Sequence, residues 1–270
     1  MNKKLGLILL IITFYSCDNK KYFTEYYPNG NMKVKVEINK DSLQIGTYED
    51  FYESGELKSK TTYSNGKISD TFYKFYRNGK IQEKGLEKNN FLNGWWLYYD
   101  SNGKLKEKSE FIIVKDSLYK NQSYYYDKNG NIKIEPSTFF ELEISDTLRI
   151  GKNAGRIKNY VTNFNNREAN LLSVIIDNEN SEKEIKKDTF GNGTLKPFFG
   201  VTIFKTGKQK IKGKILEKVL TKTKEDNDLY RLTIVEHYKY FEKEVYVWDK
   251  EKETELGKKL REEMIADKNN

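Results

Sequence analysis

One thiol and one imidazole stand among the 270 residues, Cys17 and His237. With no second cysteine, no internal disulfide can form. One cysteine with one distant histidine also lacks the clustered spacing that a zinc site needs. A Ser-His-Asp triad would have to use His237, and no Gly-x-Ser-x-Gly phrase accompanies it. His237 shares its parity with Arg231, Thr233 and Val235, against Tyr230, Leu232, Ile234 and Tyr238. It is therefore read as a solvated edge residue. Asp127-Lys128-Asn129-Gly130-Asn131 has the residue types of a calcium loop, but its glycine is at the fourth place where an EF-hand needs it at the sixth. Gly191-Asn192-Gly193 lacks the third glycine of a dinucleotide loop and reads as a turn. The 40 acidic residues permit a carboxylate pair for glycoside hydrolysis, and nothing selects one. These residues give the expectation of a protein that is not an enzyme and holds no metal.

Cys17 gains a chemistry from what precedes it. Met1 to Lys4 is a short cationic head, and Leu5 to Phe14 is an unbroken apolar run of ten residues. As a helix that run reaches about 15 Å, against about 30 Å for a hydrocarbon core. It reads as the middle of a secretion signal, with the small Ser16 at the cut. Phe14-Tyr15-Ser16-Cys17 resembles the lipobox of bacterial lipoproteins, and of exported Bacteroidota lipoproteins in particular. That resemblance implies cleavage between Ser16 and Cys17 and a covalent lipid on Cys17, with no other cofactor. It implies a lipid-anchored place in the cell envelope, at the outer membrane rather than the inner. Residues 1–16 are then a signal peptide and 17–21 a short tether.

Past the leader, 46 basic residues face 40 acidic ones with the signs interspersed, and lysine far outnumbers arginine. This is a solubilising surface rather than the basic stripe of a nucleic-acid binder. No nucleic-acid partner is expected.

The rest of the first half is organised by a repeat. Its phrases are Tyr27-Pro-Asn-Gly30, Tyr52-Glu-Ser-Gly55, Tyr63-Ser-Asn-Gly66, Tyr76-Arg-Asn-Gly79, Tyr99-Asp-Ser-Asn-Gly103 and Tyr126-Asp-Lys-Asn-Gly130. With Gly66 set aside, the glycines are 25, 24, 24 and 27 residues apart. Two residues after each glycine comes Met32, Leu57, Ile68, Ile81, Leu105 or Ile132, often with lysine next. Asn-Gly between alternating runs predicts hairpins with type I′ turns. Met32, Val34, Val36 and Ile38 alternate with lysine and glutamate as a half-buried strand does. Because a lone hairpin is marginal, the serial hairpins must share one sheet. Trp95-Trp96 puts its two indoles on opposite faces of a strand. At most one is core, and the other is a candidate ligand contact.

These phrases resemble the variant MORN repeats of bacterial proteins over residues 22–135. The resemblance implies an extended antiparallel sheet serving as a platform with no common active site. Pro136 ends the phrase and is taken as the boundary. Residues 136–250 carry short β-rich runs, about seven strands, which suit an antiparallel β-sandwich. Gly207 to Gly213 and the strand pair ending at Trp248 resemble the closing strands of Ig-like modules in exported Bacteroidota proteins. Residues 251–270 are a charged tail in which Leu256, Leu260 and Met264 would line a short helix. The whole is read as all-β: a repeat sheet, then a sandwich. The expected function is a membrane-anchored envelope lipoprotein that presents both for contact with an envelope protein or glycan. The alternative is an antitoxin-like cytosolic binder.

Overall fold

The computed structural model describes residues 20–88, 91–160, 169–179, 184–191, 195–225 and 229–248, with Lys258, Lys259 and Glu262 of the tail. Ser16, Cys17, Asn192, Gly193 and the tail stripe Leu256, Leu260 and Met264 lie outside the described residues.

The chain is all-β. Its first sheet follows chain order: β1 (Lys21–Tyr26), β2 (Met32–Ile38), β3 (Gln44–Phe51), β4 (Leu57–Ser64), β5 (Lys67–Ile68), β6 (Thr71–Phe75), β7 (Ile81–Lys88), β8 (Phe91–Tyr99), β9 (Leu105–Val114), β10 (Ser117–Tyr126) and β11 (Ile132–Thr138). Each strand pairs antiparallel with the next, except that β5 is a short offshoot paired to β4 and β6 takes over the path. This is the predicted array of serial hairpins. Along one face runs a row of partners, Phe23, Val36, Tyr48 and Thr61. Beyond it the row resumes as Phe72, Gly85, Trp96, Ser109 and Ser123. The Trp96 indole lies flat on Gly85, where an added Cβ would sit 2.3 Å from the ring. Its Nε1 donates to the Leu86 carbonyl at 3.1 Å, and Phe72 stacks on it.

The turns correct one expectation. Gly30, Gly55, Gly79, Gly103 and Gly130 all have positive φ, but the residues before them do not. Each glycine N–H donates back to the carbonyl three residues earlier, as in Gly79 to Tyr76 at 2.9 Å. These are type I turns closed by a glycine bulge, which absorbs the extra residue as a register shift in the ladder. True type I′ pairs lie at the opposite edge of the sheet: Asn65-Gly66, at φ 50° and 74°, and Lys115-Asp116, at 49° and 61°. That placement explains why Gly66 breaks the period of the others. The repeat tyrosines tie one turn to the next. The hydroxyls of Tyr27, Tyr52 and Tyr76 donate to the carbonyls of Phe51, Phe75 and Tyr99 at 2.9, 2.7 and 2.8 Å.

The described residues of the second half form a sandwich of eight strands. β12 (Phe140–Glu143), β14 (Gly151–Asn159) and β17 (Phe198–Ile203) form one sheet. The facing sheet has the order β13 (Thr147–Arg149), β19 (Tyr230–Trp248), β18 (Gly207–Lys224), β15 (Ala169–Glu179), β16 (Ile185–Phe190). Between them pack Phe140, Ile157, Phe199 and Val201 from the first sheet against Val174, Ile176, Ile215, Phe241, Val245 and Val247 from the second. Three details depart from expectation. The runs 229–240 and 244–248 are one continuous strand. β13 pairs with β19 in parallel, the exception among antiparallel pairs. Pro136 falls inside β11 rather than between modules, because β11 is an edge strand where a missing N–H breaks no ladder.

The sandwich docks at the β10 end of the repeat sheet. Tyr240 N donates to Asn121 Oδ1 at 2.7 Å and Asn121 Nδ2 donates to the Tyr240 carbonyl at 2.8 Å. One side-chain amide thus imitates a strand partner along β19. Phe139 is stacked between Tyr124 and Tyr160, with centroids 4.4 and 4.6 Å away.

Candidate functional site

Because strand partners in a sheet share a face, the repeat array has two distinct surfaces. One carries the Trp96 row. Beside that row stand Asp50, Glu83 and Glu107, each held by a lysine: Lys58 at 2.9 Å, Lys74 at 3.2 Å and Lys120 at 2.6 Å. The opposite face carries Lys35, Glu49, Lys60, Tyr73, Lys84, Leu97, Lys108 and Tyr124, which follow one another strand by strand. Lys60 is 3.7 Å from Glu49. No described carboxylate pairs with Lys84 or Lys108. Lys108 Nζ instead sits 4.3 Å from the centroid of Trp95.

The tryptophan pair resolves as its geometry required. Trp96 is 2% exposed and belongs to the packed row. Trp95 is 36% exposed on the lysine face, beside Tyr124 at 5.8 Å. From there Trp95, Tyr124, Phe139 and Tyr160 make a line of rings that leads onto the sandwich. Burial, with Tyr126 and Glu141 nearby, pushes the Tyr124 phenol up to about 12, so it keeps its proton at neutral pH. The six repeat glycines shape turns at the sheet's edges and touch neither face's centre.

His237 is not a solvated edge residue. The inward parity of β19 is set by Phe241, Val245 and Val247, and His237 and Lys239 share it. The apolar residues Tyr230, Leu232 and Ile234 are exposed, the reverse of the expected sidedness. His237 Nε2 lies 3.0 Å from the Tyr119 hydroxyl, and its Nδ1 lies 3.6 Å from Glu217. Behind it Lys239 and Glu217 are sealed from solvent and 3.1 Å apart, with Asn159 bonded to both. Burial pushes the Glu217 carboxyl up, but the His237 hydrogen bond, the Lys239 charge and Asn159 outweigh it and hold the group below its ordinary range. Burial pulls Lys239 down against Glu217. In this cluster Lys239 and Glu217, both closed to solvent, plug one end of the sandwich, with His237 part exposed at the rim. No signal in the sequence marked it, since a single lysine within an alternating run looks solvated.

A cleft of about 630 Å³ lies between the β9–β10 tip, at Ile112 to Lys115, and the outer face of β18 and β19. Its charges are partly spoken for: Lys212 bonds Glu242 at 3.0 Å, and Glu110 accepts from Asn121 and Gln122. Among the described residues no cluster of His, Cys, Asp or Glu is placed to hold a metal ion. The lysine face is the better candidate, because its groups converge on solvent. Its signal was present in the sequence as lysines 24 or 25 residues apart at 35, 60, 84 and 108.

Residues 22–40, 44–65 and 92–112 match the model of the MORN repeat variant. These are the β1–β2, β3–β4 and β8–β9 hairpins. The β6–β7 and β10–β11 hairpins share their glycine turn without being matched. No curated protein matches the chain. Three hairpins of the first half thus match the variant MORN repeat.

Proposed function

We propose that the protein is a non-catalytic envelope lipoprotein, anchored through lipid on Cys17, that presents its repeat sheet and sandwich to a partner. The observation that carries the binding role is the lysine face, where Trp95 stays part exposed beside Lys108 and no described carboxylate pairs with Lys84 or Lys108. The sandwich meets that face only at its β10 end, through Tyr119, Gln122 and Tyr124, and leaves the strands before it open. The anchoring role is supported by the sole cysteine standing directly after an apolar run too short to span a bilayer. Among the described residues no helix is long and apolar enough to cross a membrane. The first strand of the sandwich is split between its two sheets, with β13 parallel to the last strand, which supports an Ig-like reading.

Metabolic labelling with palmitate tests the anchor. Wild type should take up label and partition into detergent, and Cys17→Ser should do neither. Equal partitioning of the two would contradict the anchor and favour a cytosolic, antitoxin-like binder.

A further inference from the structure

We propose that the lysine face binds a linear acidic polysaccharide laid across the strands, a ligand class that rests on reading the repeat sheet as a binding platform. The core of the site is the row Lys60, Tyr73, Lys84, Leu97, Lys108, Tyr124, one residue from each of six adjacent strands. Neighbouring strands are about 4.8 Å apart, so a cation recurs every two strands, at about 10 Å. On the strands between stand rings or an apolar side chain, and Trp95 flanks the row, part exposed, with the Lys108 ammonium over its ring. A polymer of alternating charged and uncharged sugars has the matching pattern. Two linked sugar rings cover a similar length, each carboxylate meets an ammonium, and the C–H faces of the sugars lie on Tyr73 and on the exposed part of Trp95, with Tyr124, already stacked on Phe139, closing the row.

Charge complementarity selects the partner and the side. On the opposite face Asp50, Glu83 and Glu107 already hold their lysines, so that surface offers a polyanion little. On this face Lys84 and Lys108 have no carboxylate among the described residues, and Lys60 stands 3.7 Å from Glu49, farther than any of those three pairs. Double-stranded DNA places a phosphate about every 3.4 Å of axis on each strand, far denser than this row. An anionic membrane would draw on the lysines but has no use for their spacing or for rings set between them.

The test uses the full chain carrying Cys17→Ser, so that no lipid intervenes. It is titrated with hyaluronate, which has one carboxylate per disaccharide, with neutral dextran and with phosphatidylglycerol vesicles. Hyaluronate should bind and dextran should not. The triple change Lys60→Gln, Lys84→Gln, Lys108→Gln should weaken hyaluronate about tenfold, as expected for three exposed ion contacts. Its melting temperature should not change. Lys208→Gln, Lys210→Gln, Lys212→Gln on the sandwich removes the same charge and should leave binding alone. Trp95→Ala should weaken it without altering the salt dependence. Equal losses in the two triples, or no preference for hyaluronate over dextran, would overturn the proposal. Vesicle binding through Lys60, Lys84 and Lys108 without hyaluronate binding would overturn the polysaccharide and leave the platform standing. If every ligand bound only through the sandwich, the platform reading would fall too.

Discussion

The sandwich seals Ile157, Val174, Ile176, Ile215, Val245 and Val247 between two sheets, whereas the repeat sheet seals only Val36 and Trp96 among its apolar residues. The sandwich is held by a shared core. The repeat sheet is a single layer held by ladder bonds, a row of rings and the tyrosine hydroxyls that tie turn to turn. A single layer leaves both faces to solvent, so residues there can be spent on recognition without loosening a core. The same freedom is absent where Lys239 and Glu217 are buried together.

The largest effect should come from that buried pair. Glu217→Leu leaves Lys239 as an uncompensated buried charge and should cost about 3–5 kcal/mol in urea unfolding. Adding Lys239→Met should restore most of the loss. Because the folded state holds the Glu217 carboxyl below its ordinary value of 4.5, its contribution is present above that pH. It is lost as acid titrates the folded carboxylate. Unchanged stability in Glu217→Leu would remove the plug from the account.

The adjacent tryptophans sharpen the contrast within one strand. Trp96→Ala should destabilise the repeat sheet by about 3 kcal/mol or more, since it empties the space above Gly85. Trp95→Ala should cost under about 1 kcal/mol, as surface substitutions usually do. Similar costs for the two would mean that the faces are not distinct. A smaller effect, roughly 1–3 kcal/mol, is expected for Gly79→Val. Its φ is 78° and nothing lies within 4 Å of an added Cβ, so the cost is backbone strain alone. An unchanged melting midpoint would show that the turn can relax.

The repeat sheet was legible because each turn phrase is local and recurs, and the strand before it is marked by rings. Turn type was misread because Asn-Gly serves both type I′ turns and glycine-bulge turns. What separates them is whether the glycine N–H bonds the carbonyl three residues before it, a contact the dipeptide does not encode. In the sandwich, β14 carries no apolar signal because Gly151 to Asn159 is mostly polar, and Gly155 matters only through Phe199, which lies over it. The sidedness of β19 was inverted for a different reason. Its most apolar stretch, Leu229 to Val235, lies past the reach of the facing sheet. Trp95 and Trp96 could be split by parity alone, but which of them faced solvent depended on Gly85.

The measurement closest to the central claim is a lysine acetylation footprint of the full chain with and without hyaluronate. Bound polymer should protect Lys60, Lys84 and Lys108, while Lys74 and Lys120 on the other face and Lys208 and Lys210 on the sandwich react as before. Protection spread evenly over both faces, or centred on the sandwich lysines, would contradict the assignment of the lysine face as the working surface.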